Sequence, residues 1–196
     1  MPDDTSSPAY ADRLRERGGA WWKRLLRAQA VYRWNLRRLH PGFTLDVGCG
    51  IGRNLSHLDG NGVGVDHNEA AVAEARRRGL EAFTPDGFAR SPYATVGRFD
   101  SMLLAHVVEH MPFDEAMALV RRYLPFVADN GTVILICPQE AGYRSDSTHV
   151  EFADFGTLRR LAEEVGVTVA KAYSFPLPRP AGRWFRYNEF VVVGRR

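Results

Sequence analysis

The stretch Leu45-Asp46-Val47-Gly48-Cys49-Gly50-Ile51-Gly52-Arg53-Asn54 constrains this chain more than any other segment. It reads as a buried strand running into a glycine-rich turn, with a carboxylate at the junction. Glycines accept positive φ and let a ligand approach the backbone closely. Dinucleotide sites use this strand–turn–helix device to hold a pyrophosphate. Two residues argue against that use here. The third glycine of G-x-G-x-x-G would fall at 53, which is Arg53. Asp46 would sit beside the phosphates and repel them. A carboxylate in that place suits a ligand with a cationic centre and no phosphate. The turn alone also leaves open an ordinary glycine turn of an α/β protein.

The next strand narrows the choice. Val63-Gly64-Val65 is a short apolar run ending in Asp66. An acidic residue roughly 20 residues after the glycines accepts both ribose hydroxyls. His67-Asn68 then open a helical stretch, Glu69 to Arg78. S-adenosylmethionine (SAM) carries a ribose, an ammonium and a sulfonium, and satisfies both carboxylates.

From about Phe43 to Val193 the chain resembles the class I SAM-dependent methyltransferases. Asp46 to Gly52 is similar to the family's first motif and Val65-Asp66 to its ribose acid. Thr84-Pro85-Asp86-Gly87-Phe88 stands where the family often places an acidic residue near the adenine amino group. Phe99-Asp100-Ser101-Met102-Leu103-Leu104-Ala105-His106-Val107-Val108-Glu109-His110 resembles the fourth-strand motif, whose following loop lies beside the methyl group. Asn130 to Ile136 resembles the turn and fifth strand. The resemblance implies that SAM is held by Asp46, Gly48, Gly50, Asn54, Asp66, His67, Asp86, Gly87, Ala105 and His106.

The periodicity agrees. Strands are predicted at Thr44–Val47, Gly62–Val65, Ala82–Thr84, Ser101–Leu104 and Thr132–Cys137, alternating with helices near Gly52–Leu58, Glu69–Arg78, Phe113–Leu124 and Asp154–Val165. Such alternation means a parallel sheet with helices on both faces. Thr168–Tyr173 and Glu189–Val193 have no helix between them and should pair antiparallel at one edge. The fold class is therefore α/β, a Rossmann-like, seven-stranded, mostly parallel sheet with N-terminal helices appended. Residues 1–39 read as tail and amphipathic helices, and 40–196 as the SAM-binding domain. Met1 to Ala9 reads as a tail and Tyr10–Arg17 as a short helix. In a further helix, Ala20–Leu39, the residues Trp21, Leu25, Ala28, Tyr32, Asn35 and Leu39 share a face.

Composition sets bounds. At 196 residues, 45% hydrophobic and 25% charged, the chain has the balance of one globular domain. Cys49 and Cys137 form no C-x-x-C and indicate no disulfide framework, which fits a cytoplasmic location. No apolar run approaches the ~20 residues of a membrane span, and the polar start is no signal peptide. The net charge of +3 is uneven, with Arg13, Arg15, Arg17, Lys23, Arg24 and Arg27 near the N-terminus. That stretch raises the alternative of an RNA methyltransferase or RNA-binding protein. A solvated helix face is the preferred reading, which disfavours nucleic acid as a partner.

Three polar segments are candidates for the chemistry. In His106-x-x-Glu109-His110, positions i, i+3 and i+4 would share a helical face and hold a divalent metal such as magnesium. The resembled ubiquinone-pathway O-methyltransferases use such an ion, with a carboxylate where His106 stands. H-x-x-E-H also matches a zinc-protease motif, but that motif needs a helix and a distal ligand. The same residues would alternatively only wall the SAM pocket. In the loop 138–149, His149 has the pKa of a general base, with Asp146 or Glu140 to orient it. The segments Ser174–Pro180 and Trp184–Glu189 offer aromatics, prolines, Arg179 and Asn188 to an acceptor. Substrate-binding candidates are thus Glu140, Tyr143, Asp146, Arg179, Tyr187 and Asn188. The expected activity is SAM-dependent O-methylation of a small or oligomeric hydroxylated acceptor. A faint resemblance to sugar methyltransferases of methylmannose polysaccharide synthesis points to an oligosaccharide. Amine methylation is disfavoured, because Ala105-His106-Val107-Val108 replaces the Asn/Asp-Pro-Pro-aromatic of the amino-methylating members.

Overall fold

Strand side chains alternate between two faces, and in this chain both faces are apolar. The computed structural model describes residues 22–196, with side chains from Gln29 onward. The expected tail, the helix Tyr10–Arg17 and the basic side chains up to Arg27 lie outside the described residues. The strands are β1 (Thr44–Val47), β2 (Gly62–Val65), β3 (Ala82–Phe83), β4 (Phe99–Ala105), β5 (Val127–Pro138), β6 (Thr168–Phe175) and β7 (Glu189–Arg195). They form one seven-stranded sheet in the order β3-β2-β1-β4-β5-β7-β6. Strands β1 to β5 pair in parallel, and β7 runs antiparallel to both β5 and β6. The fold class agrees with the expectation.

The helices are α1 (Trp22–Arg37), α2 (Arg53–His57), α3 (Glu69–Arg77), α4 (Pro85–Ala89), α5 (Phe113–Tyr123), α6 (Glu140–Tyr143) and α7 (Phe155–Glu164). Met102, Leu104, Val133 and Leu135 enter one core, with Ala116 and Val120 of α5 and Leu158 and Leu161 of α7. The intervening Leu103, Ala105, Ile134 and Ile136 enter a second core, against Leu36 of α1. Burying one such side chain contributes about 1.5–3 kcal/mol. Asn35 of α1 is buried and accepts from Tyr173 Oη at 2.8 Å, so the helix keeps its apolar register on the sheet.

Local chemistry sets the boundaries. Asn68 caps α3 through its side-chain oxygen and the Ala71 N–H, and Asp154 caps α7 through Thr157. Thr84 accepts from the Gly87 N–H, and Pro85 opens α4, a helix the periodicity does not reveal. Strand order reverses between β1 and β4, so the segments after β1, β2, β4 and β5 meet at the carboxyl edge. Among the described residues, no helix is long and apolar enough to cross a membrane. Cys49 and Cys137 are free and buried.

Candidate active site

The turn after β1 takes a backbone that glycine alone adopts readily. Gly48, Gly50 and Gly52 have φ of 77°, 53° and 79°. A Cβ on Gly48 would lie 2.4 Å from Val107 Cγ2, so the turn packs directly on the segment after β4. The N–H groups of Gly48 and Cys49 donate to Val65 O, which fixes the turn to β2. Asp66 Oδ2 accepts from Gly50 N–H at 2.7 Å, and Oδ1 from Asn68 N–H at 2.8 Å. Each oxygen keeps a lone pair. His67 is exposed, with Nδ1 3.7 Å from Asp66 Oδ1.

Asp46 is 0% exposed, and neither carboxylate oxygen accepts a hydrogen bond. Burial pushes its carboxyl up to about 7, against the pull of Asn54 and Arg53. A carboxylate in this position needs a cation or a proton. SAM would offer an ammonium to Asp46 and ribose hydroxyls to Asp66, so the residues present fit that cofactor. Asn54 lies in α2, half-buried. Asp86 and Gly87 lie in the first turn of α4, with Asp86 exposed. Ala105 ends β4, buried.

Beyond β4 the chain turns sharply. His106 has φ 61°, a left-handed backbone. Its Nε2 lies 2.8 Å from Glu189 Oε1 and its Nδ1 3.3 Å from Glu109 Oε1. Burial alone would lower this imidazole's pKa. Hydrogen bonds to Glu109 and Glu189, and their charges, overcome that effect and raise it to about 9. Glu109 is 0% exposed; burial opposes its ionisation, but His106 holds its pKa below the ordinary value. Burial lowers the pKa of His110.

The two remaining imidazoles are oriented by backbone carbonyls. His149 Nδ1 is 2.7 Å from Tyr143 O. A carbonyl only accepts, so Nδ1 carries the proton and Nε2 presents a lone pair. His110 Nδ1 lies 3.2 Å from both Thr148 O and Thr148 Oγ1. Thr148 Oγ1 already donates to Asp146 Oδ1 at 2.8 Å, so His110 Nδ1 is again the donor. Nε2 of each ring is left uncommitted, and that of His149 lies 4.0 Å from Glu109 Oε1. Ligand atoms of Glu109, His110 and His149 lie within 4.8 Å of one another.

The helical arrangement expected for His106, Glu109 and His110 is not the one observed. Residues 108–110 form a 3-10 turn and His106 is left-handed, so the expected helical face does not form. Both ring nitrogens of His106 face carboxylates, and His149 takes its place in the cluster. The Asp146 carbonyl accepts the backbone N–H of His149 at 3.5 Å, while its carboxylate accepts from the N–H and hydroxyl of Thr148. The substrate candidates also separate. Glu140 and Arg179 pair with each other, at 2.9 and 2.5 Å. Tyr143 stacks on His149, with ring centroids 5.2 Å apart. Asn188 is fully buried, and its amide bonds Gln139, Ser174 and Leu177, which makes it a brace under the 174–188 segment rather than a surface for the acceptor. Tyr187 stays exposed. Sequence reasoning missed Glu189 and Gln139. The signal for Glu189 is a carboxylate opening the otherwise apolar strand Phe190–Val193.

A family model described as a methyltransferase domain matches residues 45–135. No protein in the curated set matches the chain. In structure the chain is similar to a SAM-dependent methyltransferase from Archaeoglobus fulgidus, with TM-score 0.67, 17% identity, and 86% of this chain and 94% of that one covered. It is also similar to magnesium protoporphyrin IX methyltransferase from Synechocystis with bound SAH, at TM-score 0.66, 16% identity and 98% and 96% coverage. A third is a possible histamine N-methyltransferase from Thermotoga maritima, at TM-score 0.70, 15% identity and 95% and 97% coverage. At these identities the likeness carries the fold alone, and the named acceptors are those of the other proteins.

Proposed function

We propose that the chain is a class I SAM-dependent methyltransferase, a reading supported by the methyltransferase-domain match over residues 45–135, and that it methylates a hydroxyl of a small acceptor, a sugar being the class favoured. Asp46 receives the ammonium, Asp66 the ribose hydroxyls, and the Gly48–Gly50 backbone leaves space for the methionine end. SAM supplies the electrophilic methyl. The protein's largest contribution is alignment of acceptor oxygen and methyl, worth up to about 7–11 kcal/mol.

The acceptor also has to lose a proton. That loss takes place at the cluster of Glu109, His110 and His149, and depends on His149. The observation that carries this reading is the Nδ1 bond from His149 to Tyr143 O, which leaves a basic Nε2 on the cluster side. Trp184, Phe185 and Tyr187 are exposed on the segment beyond Arg179. Their ring faces suit a sugar or a flat ring.

A screen with labelled SAM over sugars, phenols, lipids and RNA tests the class of acceptor. Transfer to a sugar or phenol hydroxyl is expected; transfer to RNA alone would overturn the proposal. With the acceptor in hand, His149→Gln should lower kcat by about 10²–10⁴-fold with SAM affinity nearly unchanged. Near-wild-type turnover in the folded variant would remove His149 from the chemistry.

A further inference from the structure

We propose that Glu109, His110 and His149 form a binding site for one first-row divalent transition ion. The proposal rests on the reading above, in which the same cluster ionises the acceptor.

Three observations carry it. The three ligand atoms are gathered within 4.8 Å from segments that follow β4 and β5. Both imidazoles have Nδ1 committed to a backbone carbonyl, Tyr143 O for His149 and Thr148 O for His110, and so offer Nε2. Metal-ligating histidines are oriented in this way. Glu109 is fully buried, and neither carboxylate oxygen has a partner at good hydrogen-bond geometry. Its neighbours include His106 Nδ1 at 3.3 Å, His149 Nε2 at 4.0 Å and the buried Cys137 thiol.

The donor set selects the ion. Two imidazoles and one carboxylate suit manganese, iron, cobalt or zinc, whereas magnesium takes oxygen ligands. Ligands about 2.0–2.2 Å from one ion stand roughly 3–3.6 Å apart, so the set would draw in by about 1 Å on loading. When bound, the ion would occupy the His149 Nε2 lone pair and, in place of that imidazole as base, lower the pKa of a coordinated acceptor hydroxyl.

The test is titration of the chelator-stripped full-length chain with Co²⁺, followed by visible absorption. Calorimetry with Mn²⁺ and Mg²⁺ runs beside it. One Co²⁺ per chain is expected, with a ligand-field spectrum, and Mn²⁺ should bind more tightly than Mg²⁺. His149→Gln and His110→Gln should each weaken Co²⁺ binding at least tenfold. His106→Gln should retain it, because His106 competes for Glu109 rather than ligating. Glu109→Gln leaves a buried amide and risks misfolding, so the histidine variants decide. Absence of a Co²⁺ spectrum would overturn the site. So would binding lost in His106→Gln but kept in His149→Gln. S-adenosylhomocysteine binding to the same stripped protein is measured separately and bears only on the methyltransferase reading.

Discussion

Asp46 should make cofactor affinity depend on pH, with a sign that follows from its burial. Its carboxyl is enclosed at the end of β1 and is pushed up to about 7 from an ordinary value of 3.8. Between those values the folded protein holds a proton that the unfolded chain has released. Stability therefore falls as pH rises through that window and levels off above about 7. At about 1.36 kcal/mol per unit, the cost is on the order of 4 kcal/mol. Ligand binding works the other way. The ammonium needs the ionised carboxylate, so binding draws the proton off. A free protein that must first ionise loses roughly 33-fold in affinity at pH 5.5 and about 2-fold at pH 7.0. Kd should tighten by up to about 16-fold across that window, in which the ligand's α-amino group (~7.7–8.0) stays protonated. Calorimetry with S-adenosylhomocysteine, in buffers of differing ionisation enthalpy, reads both Kd and proton release. About one proton should leave per ligand bound at pH 5.5. Asp46→Asn should bind more weakly at pH 7 and lose the pH dependence. A wild-type Kd that is flat over this range, with no proton released, would refute the pairing of Asp46 with the ammonium.

Asp66→Ala should weaken S-adenosylhomocysteine by about 10–150-fold by calorimetry, because a charged acceptor for two hydroxyls is removed. Its loss also frees the Gly50 and Asn68 N–H groups, so Asp66→Asn, which keeps one acceptor oxygen, should fall between the two. Gly48→Ala should lower Tm, since the new Cβ meets Val107 Cγ2 at 2.4 Å with φ at 77°. Overpacking costs about 1–3 kcal/mol, and Val107→Ala in the same chain should restore that part but not the backbone strain. An unchanged Tm in the single variant would show that the turn is not packed on the segment after β4.

The turn proposed to hold the cofactor is legible in the sequence because it is built locally. Asp46, Gly48, Gly50 and Asp66 act through one strand end, one turn and the next strand, and the bounds of β1 and β2 coincide with those expected. Two-sided apolar runs mark the interior strands for the same reason. Helices α4 and α6 have five and four residues, too short for a 3.6-residue period to register.

The catalytic end is assembled from distant segments. His106 meets Glu189 across 83 positions, and His110 meets Thr148 across 38. Those contacts depend on the register of β7, which sets Glu189 opposite Pro138 at the end of β5. Spacing within H-x-x-E-H carries no information about that register, so it brings His106 to Glu109 but does not reveal Glu189 or His149. The structure divides the motif into two parts with different chemistry. His106 is a proton-bearing link between two buried carboxylates, so a change there should alter the charge at Glu109 and Glu189 together. His110 and His149 each commit Nδ1 to a backbone carbonyl beside Glu109, so a change there should alter what the space between them binds. Activity lost equally through His106→Gln and His149→Gln would not distinguish these roles. Co²⁺ binding retained in the first and lost in the second would, because only the second removes a ligand.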